Sequence, residues 1–176
     1  GRSAPVALLW MEPPAAPVRN ELPLNWQSKG SVPIAILRSS WNDAGAVFVG
    51  LKAGSPAANH GHMDAGSFVL DSDGVRWALD LGAEPYNGIE IRGMDLWNRS
   101  QNSDRWTIFR LNNLSHNTLV IDDELQVAAG DATMERFSSG SNRPFAIVDM
   151  TPVYKGQAAA VKRGIALLPS HEVLIQ

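Results

Sequence analysis

An all-β fold, an antiparallel β-sandwich, is the class this sequence predicts, on three observations. Short runs rich in β-branched and aromatic residues follow one another from Val32 onward, clusters of Gly, Asn, Asp and Pro separate them, and no segment sustains a helical apolar period. In chain order the expected strands are Val32 to Leu37, Ala46 to Leu51, Ser67 to Leu70, Val75 to Leu81, Trp106 to Leu111, Thr118 to Ile121, Phe145 to Tyr154, Gln157 to Leu168 and Glu172 to Ile175. The clearest hairpin joins Phe68-Val69-Leu70 to Val75-Arg76-Trp77-Ala78-Leu79 through Asp71-Ser72-Asp73-Gly74, because Asp-Gly tolerates the positive φ angles of tight hairpin turns.

The ends read differently from the middle. Residues 4 to 26 hold five prolines, including Pro13-Pro14, with no sustained apolar period, so residues 1–30 are expected to be an extended lead-in and residues 31–176 the β-sandwich domain. Glu172-Val173-Leu174-Ile175-Gln176 reads as a strand with no polar terminator after it, and Gly1-Arg2-Ser3 is neither a signal segment nor a natural start. The chain is therefore expected to be an incomplete piece of a larger sandwich domain, truncated at its C-terminus.

Composition excludes several functions. With 15 Lys+Arg against 18 Asp+Glu the net charge is −3, so there is no overall basic field for nucleic acid or another long polyanion. No apolar run approaches the roughly 18 to 20 residues of a membrane span. Hydrophobic residues make up 44% with six Trp, enough for a real core. Zero Cys removes disulfides, thiolate metal sites and thiol nucleophiles together, so a metal ion would have to use imidazole and carboxylate.

Two of the four His stand in His60-Gly61-His62, with Asp64 following. In extended backbone, side chains alternate, so positions 60, 62 and 64 point to one side, and imidazole with carboxylate there suits Zn²⁺ or another divalent ion. A bare His-x-His also fits two surface imidazoles with no ion. Asp80, in Trp77-Ala78-Leu79-Asp80-Leu81-Gly82, is a carboxylate among apolar neighbours, where burial without a partner costs several kcal/mol. His116 sits at the mouth of another expected strand. If Asp71 pairs with Val75, however, Asp80 falls opposite Gly66, roughly 13 Å along a straight strand from His62. A shared ion therefore requires the segment between His60 and Ser67 to bend, and Gly61 and Gly66 are the residues that permit it.

Taken together, Ile36-Leu37-Arg38-Ser39-Ser40-Trp41, His60-Gly61-His62-Met63-Asp64-Ala65-Gly66-Ser67-Phe68, the return Asp80-Leu81-Gly82 with Tyr86, and Arg110 leading to His116-Asn117-Thr118-Leu119 resemble the C-terminal β-domain of the heparinase II/III-like polysaccharide lyases over about residues 33 to 125. The resemblance implies that His62, Asp80 and His116 ligate zinc and that His60 faces the sugar-binding cleft and assists catalysis. It implies β-elimination on a uronic-acid-containing acidic polysaccharide: the C5 proton is removed and the bond from C4 to the glycosidic oxygen breaks. That reaction needs a neutralised carboxylate, a base and an acid, each proton-transfer group worth roughly 10² to 10⁴ in rate. In the family a helical toroid ahead of this domain supplies the catalytic Tyr, so this chain alone is expected to be inactive; neither Tyr86 nor Tyr154 matches that residue. Zinc in this picture staples three stretches together, and structural zinc is worth on the order of 10 kcal/mol in small peptides. The resemblance also implies a periplasmic or secreted enzyme.

Between the return and His116, Arg92, Arg99, Arg105 and Arg110 are interleaved with Trp97 and Trp106. Guanidinium forks suit carboxylate and sulfate, and aromatic faces stack on sugars, so Arg92, Arg99, Arg105 and Trp97 are candidate glycan contacts; Asp95 and Asp104 could equally pair with them as ordinary surface charges. Two other readings stand beside the lyase. A cupin-like metalloenzyme would use His60, His62 and His116 but lacks the Glu it needs after the His pair. A non-catalytic glycan-binding or structural sandwich needs none of this chemistry. His171, in Pro169-Ser170-His171, reads as a turn residue.

Overall fold

A computed structural model describes residues 22–140 and 142–176. The expected lead-in over residues 1–21 lies outside the described residues. Residues 22–30, the rest of the lead-in expected over 1–30, are not all linker: β1 (Trp26–Gln27) already pairs with β2 (Ile34–Arg38), so the sheet begins before Ser31.

The chain forms two antiparallel meanders. The first sheet runs β1, β2, β3 (Phe48–Lys52), β4 (Phe68–Ser72), β5 (Val75–Ala78). The second runs β6 (Thr133–Ser138), β7 (Phe145–Asp149), β8 (Lys162–Leu167), β9 (Val173–Ile175). Alternate residues of β2, β7 and β8 are buried, the period-2 pattern of strands with one covered face. Ala35, Leu37, Val49 and Leu51 from the first sheet share one core with Ala146, Val148, Ile165 and Leu167 from the second, so the architecture is the expected all-β sandwich. An isolated bridge, Gly54 to Ala132, ties the two sheets.

The long connection from β5 to β6 departs from the sequence reading. Trp106 to Leu111 is not a strand but consecutive 3₁₀ turns at Asp104–Thr107 and Phe109–Leu111. Trp106, Ile108 and Leu111 are buried, though Leu111 falls out of period-2 phase, and the backbone groups find local partners: Thr107 Oγ1 donates to Asp104 O and Asn112 Nδ2 to Trp106 O. Thr118 to Ile121 likewise forms no strand; Ile121 makes only a bridge to Glu124. A short helix, α1 (Tyr86–Glu90), and these turns bury Met63, Ile89, Leu96, Trp106, Leu111 and Ala128 in a second core beside the sandwich. The run from Phe145 stops at Asp149 and turns into a 3₁₀ segment, Thr151–Tyr154, where Pro152 cannot donate to a ladder. The strand Thr133–Ser138 was not legible, because Glu135 and Arg136 stand in it at a bulge and break the apolar alternation.

The hairpin of β4 and β5 turns on Asp73 and Gly74, with φ of 54° and 73°, closed by the pair Ser72 and Val75. A bulge between Leu70 and Asp71 then sets Leu70 opposite Ala78. Extending that register carries Asp80 to the level of Phe68 rather than Gly66, two residues farther along the strand from His62, so Asp80 joins the site through Ser67 and His116 rather than through strand register.

Candidate metal centre

The segment from His60 to Ser67 is irregular, as a shared site requires. His60 itself takes a left-handed conformation with φ 57°, and Gly66 takes φ 77°. Gly61 serves differently from the expectation: its φ is not left-handed, but a Cβ there would stand 2.5 Å from Pro56 O and 2.9 Å from Ala58 O. The loop is anchored by backbone bonds, Gly61 N–H to Ala58 O, Met63 N–H to Leu111 O and Gly66 N–H to Lys52 O. Gly61, Met63 and Ala65 are buried while His60, His62 and Asp64 are not, the alternation read from the sequence.

The outward side chains then diverge. His60 stacks on Tyr86 at 5.8 Å between ring centroids and meets the edge of Trp97 at 5.7 Å. His62 instead faces His116, with centroids 5.3 Å apart. Donor atoms of His62, Asp64 and His116 all lie within 4.8 Å of one another. Asp64 also makes an ion pair with Lys52 at the end of β3. The sequence already set Asp64 on one face with His60 and His62 as a carboxylate donor, although the ligand set implied by the resemblance left it out.

His116 follows a 3₁₀ turn, Asn113–Ser115, that Asn112 caps by accepting from Leu114 N–H. Its side chain is about 1% exposed, and Nδ1 lies 2.7 Å from Asp80 Oδ2. Asp80 also accepts from Gly82 N–H through Oδ1 and from Ser67 Oγ through Oδ2. Asn117 Nδ2 donates to both Phe68 O and Leu79 O, stitching the His116 turn to the strands on either side of Asp80. Asp80 and His116 are thus in direct contact, and Asp80 reaches His62 by way of His116. The Nε2 atom of His116 is buried with no hydrogen-bond partner among the described residues. Beside this group a cleft of about 240 Å³, lined in part by Ile36, Phe48 and Val69, ends on Lys52, Asp64, Ser67 and Asp80.

Electrostatics favour deprotonated donors. Burial pulls the His62 imidazole down to about 4, against partial opposition from Asp64. The hydrogen bond from His116 holds the Asp80 carboxyl down to about 2. For the metal-free protein both shifts make acid destabilising. His62 adds a penalty that is absent above pH 6.5 and grows as the pH falls toward 4, where the unfolded chain binds the proton first. The contribution of Asp80 is present above 3.8 and is lost as the pH falls toward 2. Urea midpoints measured across this range should decline from pH 6.5 downward, and His62→Asn should flatten the portion above 4 while leaving the lower step.

The Arg-rich stretch does not form one glycan-facing surface. Arg105 is corrected from surface contact to interior residue: it is 2% exposed and donates to Leu96 O and Gly61 O. Arg99 is exposed but donates to Ala57 O, Arg92 is exposed, and Trp97 is 54% exposed with Nε1 donating to Glu90. Arg110 is turned to Leu81 O, Ala83 O and Glu84. His171 occupies the turn between β8 and β9 with φ 67°.

Two packed antiparallel meanders with an imidazole and carboxylate group at the connection between them define a β-sandwich domain with a candidate cation site. Residues 34–161 match the family model described as heparinase II/III-like, C-terminal, and the chain belongs to that family of polysaccharide-lyase β-domains. Among solved structures it resembles the heparan sulfate lyase HepC from Pedobacter heparinus, with 21% identity and a TM-score of 0.53 over 81% of this chain and 20% of that one. It also resembles the heparinase III BT4657 gene product, with 15% identity and a TM-score of 0.55, again over 81% of this chain and 20% of that one. At these identities the likeness establishes the fold, and the chain spans about one-fifth of those proteins' length. No curated protein matches it. Among the described residues no helix is long and apolar enough to cross a membrane.

Proposed function

We propose that this chain is the cation-binding β-domain of a periplasmic or secreted lyase that cleaves a uronate-bearing acidic polysaccharide by β-elimination. His62, Asp80 and His116 would hold Zn²⁺, and His60 would face the substrate. The observation that carries the cation is the orphaned Nε2 of His116: a buried imidazole nitrogen without a partner is costly in an ordinary core, and here His62 and the Asp64 carboxylate have donor atoms within 4.8 Å of a His116 ring nitrogen while Asp80 bonds Nδ1 of the same ring. Soft-to-borderline nitrogen donors with carboxylate oxygen suit zinc better than calcium or magnesium. Asp64, with one oxygen on Lys52, is the further carboxylate within reach of the same ion.

When bound, the ion would act as a structural tie among the histidine loop, the Asp80 return and the His116 turn. The chain's own contribution to the reaction is His60. Its imidazole stays on the exposed side of the loop, its ring plane fixed by Tyr86 and Trp97, so it can take or deliver a proton at a sugar placed over it. It cannot complete an elimination alone. A second proton-transfer group and a partner for the uronate carboxylate belong to the helical toroid that the family places ahead of this domain, so the isolated chain is inactive in this reading. Heparan sulfate is the first polymer to test, because the solved relatives include a heparan sulfate lyase.

The two histidines separate under mutation. His62→Ala should abolish zinc binding, whereas His60→Ala should leave it intact and lower formation of unsaturated uronide by the full-length enzyme roughly 10² to 10⁴-fold. Equal metal loss in both variants would overturn the assignment of roles. The contiguous rings of His60, Tyr86 and Trp97 also suit a glycan-stacking surface without catalysis; binding of the polymer by the full-length protein without uronide formation would select that reading.

A further inference from the structure

Two buried guanidiniums converge on the histidine loop from opposite sides. Arg105, in the Asp104–Thr107 turn, is 2% exposed; its Nη2 donates to Gly61 O at 2.6 Å and its Nη1 to Leu96 O at 2.9 Å. Arg163, on β8 of the other sheet, is 8% exposed; its Nη1 donates to Gly66 O at 2.9 Å and to Asn117 O at 2.7 Å. Among the described residues neither guanidinium makes an ion pair. Burying an unpaired cation is unfavourable, and an apolar side chain of similar size would serve packing alone at least as well.

What the two cations accomplish follows from where their acceptors lie. Gly61 and Gly66 bracket the stretch that carries His62 and Asp64, and Asn117 is the neighbour of His116. Arg163 therefore fixes one end of the loop and the His116 turn with a single nitrogen, while Arg105 fixes the other end against Leu96. Gly61 and Gly66 leave the backbone close to these partners but supply no side chain of their own to hold it.

We propose that Arg105 and Arg163 are positioning residues that clamp the histidine loop at Gly61 and Gly66 and so preset the geometry in which His62 and His116 take up a cation. The clamp rests on the cation reading above, and the test separates the two. Zinc affinity is measured by chelator competition, and ligand geometry by the visible absorption of the cobalt-substituted protein, in wild type, Arg105→Met, Arg163→Met, Arg105→Lys, Arg163→Lys and the core variant Leu37→Ala. Both methionine variants should bind zinc about 10 to 100-fold more weakly and shift the cobalt spectrum. Leu37→Ala, which opens a cavity at a 1% exposed core position away from the loop, should lower the melting temperature without changing either readout. Lysine discriminates further and covers the case in which a methionine variant fails to fold. One nitrogen of Arg163 serves both of its carbonyls, so Arg163→Lys should stay near wild type; two nitrogens of Arg105 serve two carbonyls, so Arg105→Lys should lose roughly tenfold. Unchanged affinity in the Arg105 variants and Arg163→Met, or an affinity loss in Leu37→Ala equal to theirs, overturns the clamp. Failure of the wild type to bind zinc overturns the cation reading and the clamp's purpose with it.

Discussion

Saturating zinc should raise the melting temperature of this chain by roughly 10 °C, and His116→Ala should cancel the rise. A ligand present at a thousand times its dissociation constant stabilises the folded state by about 4 kcal/mol, and in a domain of this size each kcal/mol moves the midpoint by about 2 to 4 °C. The effect should be specific. Calcium and magnesium take oxygen ligands and would leave two imidazoles unused, so neither should reproduce the shift at equal concentration. His116 is the residue to remove because it is the most enclosed member of the group and touches Asp80 directly. Its loss also strands the Asp80 carboxylate, so the metal-free variant should itself melt below wild type, by an amount in keeping with a charged hydrogen bond, about 1.5 to 3 kcal/mol. The measurement is a pair of calorimetric scans per protein, with zinc and with a chelator. A wild-type midpoint that zinc does not move would remove the cation from the functional reading.

What was legible in the sequence, and what was not, follows from the range of the forces involved. The sandwich was readable because alternation in β2, β7 and β8 is a local pattern that one buried face imposes on each strand separately. The hairpin was readable for the same reason, through Asp73-Gly74. Its register was not. The bulge at Leu70 and Asp71, which sets Asp80 level with Phe68 rather than Gly66, has no residue signature in either strand. The connection from β5 to β6 misled because Trp106, Ile108 and Leu111 make an apolar, aromatic run like a strand's while their backbone is satisfied by Asn112 and by 3₁₀ turns. Arg105 misled in a similar way. An arginine between Asp104 and Trp106 looks like surface, and only the fold shows two carbonyls, from Gly61 and Leu96, waiting in the interior for its guanidinium. Within the candidate site, the alternation of His60, His62 and Asp64 could be read locally, whereas the separation of His60 toward Tyr86 and Trp97 depends on the left-handed turn at His60 itself.

Gly61→Ala should be among the most damaging single-methyl changes in the chain, although Gly61 is not one of the left-handed glycines. Added at that position, Cβ would stand 2.5 Å from Pro56 O, 2.9 Å from Ala58 O and 3.2 Å from Ala58 N, all of them backbone atoms that cannot swing aside. The loop must open to admit the methyl, and two contacts go with it: the Gly61 N–H bond to Ala58 O and the Arg105 bond to Gly61 O. A cost of roughly 3 kcal/mol or more is expected, a fall of about 6 to 12 °C in the melting temperature. Gly74→Ala is the informative contrast. Gly74 has φ 73° but nothing within 4 Å of an added Cβ, so the change meets only left-handed strain, about 1 to 2 kcal/mol, at a hairpin tip remote from the imidazoles. Zinc affinity separates the two kinds of damage: it should collapse in Gly61→Ala, because His62 is the next residue along a displaced backbone, and stay unchanged in Gly74→Ala. If Gly61→Ala instead binds zinc like the wild type, the tight passage beneath Pro56 and Ala58 serves only the fold, and the placement of His62 must be set by residues further along the loop.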